Sequence, residues 1–101
     1  VSHPVNGLDN AVHQRVRLGI LAILAEAKMA DFTYLRDTLE LTDGNLATHL
    51  RVLEDADYVT IRREGQGRNA RTWVAANDQG RQALDREVRT LQALLDRIPP
   101  C

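Results

Sequence analysis

Between Arg62 and Arg71 the chain carries Arg62, Arg63, Arg68 and Arg71 against one acid, Glu64. The planar guanidinium fork matches phosphate oxygens and the acceptor edge of guanine, so this cluster is chemistry for holding nucleic acid. A second set lies upstream, where Thr42-Asp43-Gly44-Asn45 opens an amphipathic stretch. At about 100° per residue, Leu46, Leu50 and Leu53 fall on one side of a helix. Gly44, Asn45, Thr48, Arg51 and Val52 fall on the other, with His49 on the flank. Small and polar side chains near a helix N-terminus let the backbone approach phosphates and let amide or guanidinium groups reach base edges. Asn45 has the paired donor and acceptor that adenine requires, and Arg51 suits a phosphate or a guanine. Thr42 is the expected N-cap, with Asp43 at the positive end of the helix dipole.

Other chemistries lack their residues. Ser2 is the sole serine, which removes a Ser-His-Asp hydrolase, and there is no P-loop or dinucleotide fingerprint. His3, His13 and His49 are far apart, and the one cysteine, Cys101, follows Pro99-Pro100. A metal needs several convergent ligands, so neither a metal nor any other cofactor is expected within a chain. Cys101 is expected to be a solvated tail rather than a sensor or a cross-link. The composition, 44% hydrophobic and 27% charged, is that of one modest globular domain spanning residues 1–101. Net charge is -1, yet acids such as Asp78, Asp85, Glu87 and Asp96 lie away from the arginine cluster. A mixed surface with one basic stripe is therefore compatible with DNA. The longest apolar run, Leu18 to Ala25, is too short to span a bilayer, and no secretory signal opens the chain. A soluble, cytoplasmic protein with no membrane partner is expected.

The elements that must position these residues follow from periodicity and caps. Val1 to Gly7 reads as a loose arm. A first helix is predicted from Asp9 or Asn10 to about Ala27, apolar nearly all round and so covered on two sides. A second spans roughly Thr33 to Leu39, capped by Asp31 or Thr33. After Glu40-Leu41 comes the third, from Thr42 to about Ala56; two short helices so joined form a helix-turn-helix. Tyr58 to Arg63 and Arg71 to Ala76 read as strands of a hairpin, with Gly65-Gln66-Gly67-Arg68-Asn69 as a flexible basic tip. Arg62 and Arg63 alternate faces, so one of them at most is aimed at DNA, and Arg71 has Glu64 as a candidate partner across the hairpin. Trp73 reads as packing the hairpin onto a helix. A last helix is capped by Asn77 or Asp78 and ends before Pro99. Its Leu84, Val88, Leu91, Leu95 and Ile98 alternate steps of four and three, a coiled-coil-like seam suited to the first helix and a second copy of the chain.

Three stretches carry a family resemblance. Val16-Arg17-Leu18-Gly19-Ile20-Leu21-Ala22-Ile23-Leu24 resembles the first core helix of small ArsR- and MarR-like winged-helix regulators. The stretch from Leu46 through His49, Leu50, Leu53 and Ala56 to Val59 resembles their recognition-helix pattern. Asn77-Asp78-Gln79-Gly80-Arg81-Gln82-Ala83-Leu84 is similar to their entry to the last helix. The likeness runs from about Leu8 to Leu95. Asp57 and Glu40 stand where the family usually has glycine, and the cysteine pair or clustered ligands of its metal-sensing branch are absent.

The expectation is a mainly helical α+β winged helix-turn-helix that binds double-stranded DNA as a homodimer and is not an enzyme. Thr42, Gly44, Asn45, Thr48, His49 and Arg51 are its candidate groove residues, and Arg62, Arg68, Asn69 and Arg71 hold the backbone. Leu8, Val12, Leu84, Val88, Leu91, Leu95 and Ile98 are the candidate dimer interface. The rival reading is a winged helix serving as a protein-interaction module. A repressor with a small-molecule effector between the first and last helices is a further rival, although no polar group stands out to orient such a ligand.

Overall fold

Each of the four α-helices among the described residues opens on a side chain that accepts backbone N–H groups left over at a helix N-terminus. In the computed structural model, which describes residues 3–100, Gln14 opens α1 (Arg15–Ala27), accepting from the N–H groups of Val16 and Arg17. Asp31 opens α2 (Phe32–Thr38), Thr42 opens α3 (Asp43–Asp55) and Asn77 opens α4 (Asp78–Arg97). Three strands, β1 (Met29–Asp31), β2 (Val59–Glu64) and β3 (Arg71–Ala76), form an antiparallel sheet in the order β1-β3-β2. This is the expected α+β winged helix. Cys101 lies outside the described residues, as do Val1 and Ser2 of the expected arm.

The core joins one face of each element. Val16, Ile20, Leu21 and Leu24 of α1 meet Leu35 of α2, Leu46, Leu50 and Leu53 of α3, and Ala83 of α4. The sheet contributes alternate residues, Ala30, Val59, Val74 and Ala76, from its inner face. The chain enters α3 and leaves it through left-handed residues that are not glycine, Glu40 at φ 55° and Asp57 at φ 63°. The strain at such positions is modest, about 1 kcal/mol.

Four expectations need correction. The first helix begins at Arg15, not at Asp9 or Asn10. Asp9 instead closes a turn, its Oδ1 accepting from Ala11 N–H and its Oδ2 from the Tyr58 hydroxyl. Within the expected arm, Pro4–Gly7 forms a 3-10 turn lying against α4, where Gly7 approaches Thr90. Strand β1 was not foreseen, because three residues show no readable period; its Ala30 pairs opposite Val74 of β3. Val12, assigned to the dimer seam, is fully buried in the core of the chain itself.

Glu87, one of the acids that lie away from the arginine cluster, is buried too. Its Oε1 accepts from Asp9 N–H at 3.0 Å, and its Oε2 lies 2.7 Å from His13 Nδ1. A buried carboxylate is tolerable only with such partners, and these tie α4 to the turn before α1.

Candidate nucleic-acid interface

Leu46, Leu50 and Leu53 anchor α3, so its opposite side is left outward, and Gly44, Asn45, Thr48 and Arg51 are all exposed. Val52 is half-buried. The Thr42 hydroxyl accepts from Asn45 N–H at 3.1 Å, which fixes the first turn. Thr48 donates its hydroxyl to the Gly44 carbonyl at 3.0 Å. The Asn45 amide and the Arg51 guanidinium make no side-chain hydrogen bond among the described residues.

The helix is also held from α2. Arg36 donates Nε to Asp37 at 3.0 Å and Nη1 to Asp43 at 2.9 Å, bridging α2 to the first turn of α3. Those two carboxylates raise its pKa further above the usual arginine range. Leu41 N–H closes the connection by donating to the Arg36 carbonyl at 2.9 Å. Sequence reasoning gave Asp43 only a dipole role; a charge pair between residues seven positions apart across a turn leaves no local pattern.

His49 is half-buried on the flank of α3. Its Nδ1 lies 3.2 Å from Nη1 of Arg17, a residue of α1 not foreseen as part of the site. Burial first, then the charges of Arg17 and Arg15, hold its pKa below the usual imidazole value.

The hairpin sorts its arginines. Alternation along β2 puts Arg63 on the inner face with Val59 and Ile61, and Arg62 on the outer face with Thr60. Arg62 is ion-paired to Glu64 at 2.7 Å. Arg71 stands opposite Glu64 in the register, as expected, but reaches Asp31 of β1 at 3.4 Å instead. Among the described residues, no carboxylate pairs with Arg51, Arg63 or Arg68. The tip, Gly65 to Asn69, is fully exposed and contains a 3-10 turn, Gly67–Asn69. Arg68 and Arg71 line a cleft of about 380 Å³ with Thr33, at the start of α2, and Thr72. Trp73 lies half-buried on the outer face, lining a shallow cleft with Ala27, Met29 and Tyr34.

Along α4 the expected seam divides. Leu84 is partly buried against the core, and Leu8 and Leu91 are half-buried. Val88, Leu95 and Ile98 are 52%, 62% and 64% exposed. Among the described residues no group of three His, Cys, Asp or Glu side chains is placed to hold a metal, and no helix is long and apolar enough to cross a membrane.

A helix-turn-helix with an outward second helix, followed by an arginine-bearing β-ribbon, defines the winged helix-turn-helix class. The chain belongs to the winged helix DNA-binding domain family, whose profile matches residues 16–95. An uncharacterized protein, MJ0432, from Methanocaldococcus jannaschii is 32% identical over 83 residues, covering 82% of this chain and 90% of that protein. The structure of a transcriptional regulator homologue from Pyrococcus horikoshii OT3 superposes with a TM-score of 0.85 at 30% identity, over 92% of this chain and 94% of that one. YusO from Bacillus subtilis shares the fold, with a TM-score of 0.78 at 13% identity over 93% of this chain and 66% of that one. The expected winged-helix class holds: the Pyrococcus horikoshii structure is that of a transcriptional regulator homologue, and an ArsR family transcriptional regulator shares the fold at 22% identity.

Proposed function

We propose that this chain regulates transcription as a homodimer, a single winged-helix domain in each subunit, on a pseudo-palindromic site in double-stranded DNA. In this reading α3 enters the major groove, where Gly44, Asn45, Thr48 and Arg51 read or position and the Thr42 cap sets the approach. Arg68, with Asn69 at the wing tip, holds the backbone or the adjacent minor groove. On the strands, Arg63 replaces Arg62 as the preferred phosphate ligand, since Arg62 is ion-paired to Glu64 on the outer face. Arg71 contributes only if it exchanges Asp31 for phosphate.

The observation that carries the reading is the outward face of α3: exposed, polar, capped, and with its Asn45 and Arg51 side chains unbonded among the described residues. The apolar seam of α4 supports the dimer. Val88 and Leu95 are exposed on α4 and Ile98 just past its end, on a helix that helps draw the molecule out to 53 × 28 × 22 Å. The radius of gyration is 15.2 Å, against about 13 Å for a compact chain of this length.

Fluorescence anisotropy titrations of the whole chain against random and genomic duplexes, at two salt concentrations, test the reading. The expected result is binding that weakens steeply with salt, through counterion release, and a preference for particular genomic fragments. Negligible binding at low salt would leave the protein-interaction reading in its place.

A further inference from the structure

Arg17 lies in α1, away from the recognition helix in sequence, yet it reaches three acceptors at once. Its Nε donates to the Ala11 carbonyl at 2.7 Å and its Nη2 to the Asn10 carbonyl at 3.2 Å. Those bonds pin the guanidinium to backbone, so the direction of its remaining nitrogen is fixed. That nitrogen, Nη1, lies 3.2 Å from His49 Nδ1.

A guanidinium has five donors and no acceptor. His49 Nδ1 is therefore the acceptor, and an imidazole that accepts at Nδ1 is neutral and carries its proton on Nε2. The contact with Arg17 is the one hydrogen bond of the His49 ring among the described residues, which leaves Nε2–H unspent. Resting on the regulator reading, we infer that Arg17 holds His49 as the neutral Nε2–H tautomer so that this N–H donates to a phosphate oxygen of bound DNA. A phosphate suits the geometry better than a base edge. His49 sits on the flank of α3, while Gly44, Asn45, Thr48 and Arg51 occupy the outward face. Burial first, and then the positive charges of Arg17 and Arg15, lower its pKa and favour the neutral ring. Arg17 is a positioning residue here, and His49 makes the contact.

Nitrogen-15 NMR of the free protein near neutral pH reads the tautomer directly. The wild type should show His49 protonated on Nε2, and Arg17→Met should lose that single form. DNA titrations then compare His49→Gln, whose amide nitrogen extends to the Nε2 position, with His49→Asn, whose amide ends near Nδ1. His49→Gln should stay within about twofold of wild type, and His49→Asn should bind about tenfold more weakly per half-site. A neutral donor displaces no counterion, so the salt slope should be the same for all three. An Nδ1–H or doubly protonated ring in the wild type overturns the inference. So does equal affinity of the Asn and Gln variants, or a slope that falls in both. The tautomer is read without any substitution, so a variant that folds poorly leaves that arm decisive. Failure of the wild type to bind any duplex at low salt would sink the regulator reading and the phosphate contact with it; a wrong tautomer would sink the inference alone.

Discussion

Asn45 has an exposed side-chain amide that makes no hydrogen bond among the described residues, its backbone N–H being the part that meets the Thr42 cap. Replacing it should therefore touch recognition and spare stability. In a binding-site selection, Asn45→Ala is expected to relax base preference at one position of each half-site, a loss of about 1–3 kcal/mol of discrimination. Unchanged preference would remove it as a reader. Tyr58 is the opposite kind of residue, spent on structure. Its hydroxyl donates to Asp9, and that bond, aided by burial, raises its pKa above the usual tyrosine value. A raised pKa means the folded state favours the neutral phenol. The stabilisation is thus whole below the unfolded value of about 10 and fades as pH climbs from there toward the folded pKa. Thermal melts should show wild type losing its advantage over Tyr58→Phe across that alkaline window; a constant difference would place the benefit elsewhere. The sequence reads Tyr58 as a strand residue and Asp9 as a helix cap, whereas Tyr58 stands just before β2 and Asp9 in a turn before α1; their partnership was not legible, because nothing local joins positions so far apart.

At the scale of elements, the wing and the entry to α4 make separate demands. Arg68 stands at an exposed tip without a carboxylate partner among the described residues, so it is free to neutralise a phosphate. Arg68→Ala should weaken binding to all sequences alike and lower the salt slope by about one. An unchanged slope would take Arg68 off the contact surface. Gly80, in the first turn of α4, has a geometric role: a Cβ there would lie 2.0 Å from the Tyr58 carbonyl oxygen. That carbonyl also accepts from Asn77 N–H at 3.1 Å, so it is not free to yield. Gly80→Ala should cost about 2 kcal/mol or more, read as a lower urea midpoint with DNA-contacting side chains untouched. The glycine was visible in the sequence as part of the family-like entry to the last helix. The carbonyl that forbids a side chain there became visible only once β2 and α4 were packed together.

For the whole molecule, the question is what covers α4. Its Gly80, Ala83 and Glu87 are buried within the chain, while Val88, Leu95 and, just past its end, Ile98 are exposed. If a second copy covers it, Leu95→Glu should convert the dimer to a monomer in sedimentation equilibrium and reduce affinity for a two-half-site duplex far more than for a single half-site. Wild type that sediments as a monomer at micromolar concentration would refute the pairing. The same scale corrects the assigned interface. Val12 has the right type for a seam, yet it faces its own core, and only the packed fold separates inward from outward apolar residues.

The order and kind of nearly all the elements, the inward leucines of α3 and its Thr42 cap were set by the sequence alone, because periodicity and capping act within a few residues. So was the outward polar face, the complement of the leucine row. Three things were decided by tertiary structure: the short β1 strand, the burial of Glu87 and Val12, and the choice of partners for Arg17, Arg36 and Arg71. Each depends on groups distant along the chain being brought within a few ångströms. An arginine can satisfy many acceptors, and only folding determines which of them is in reach.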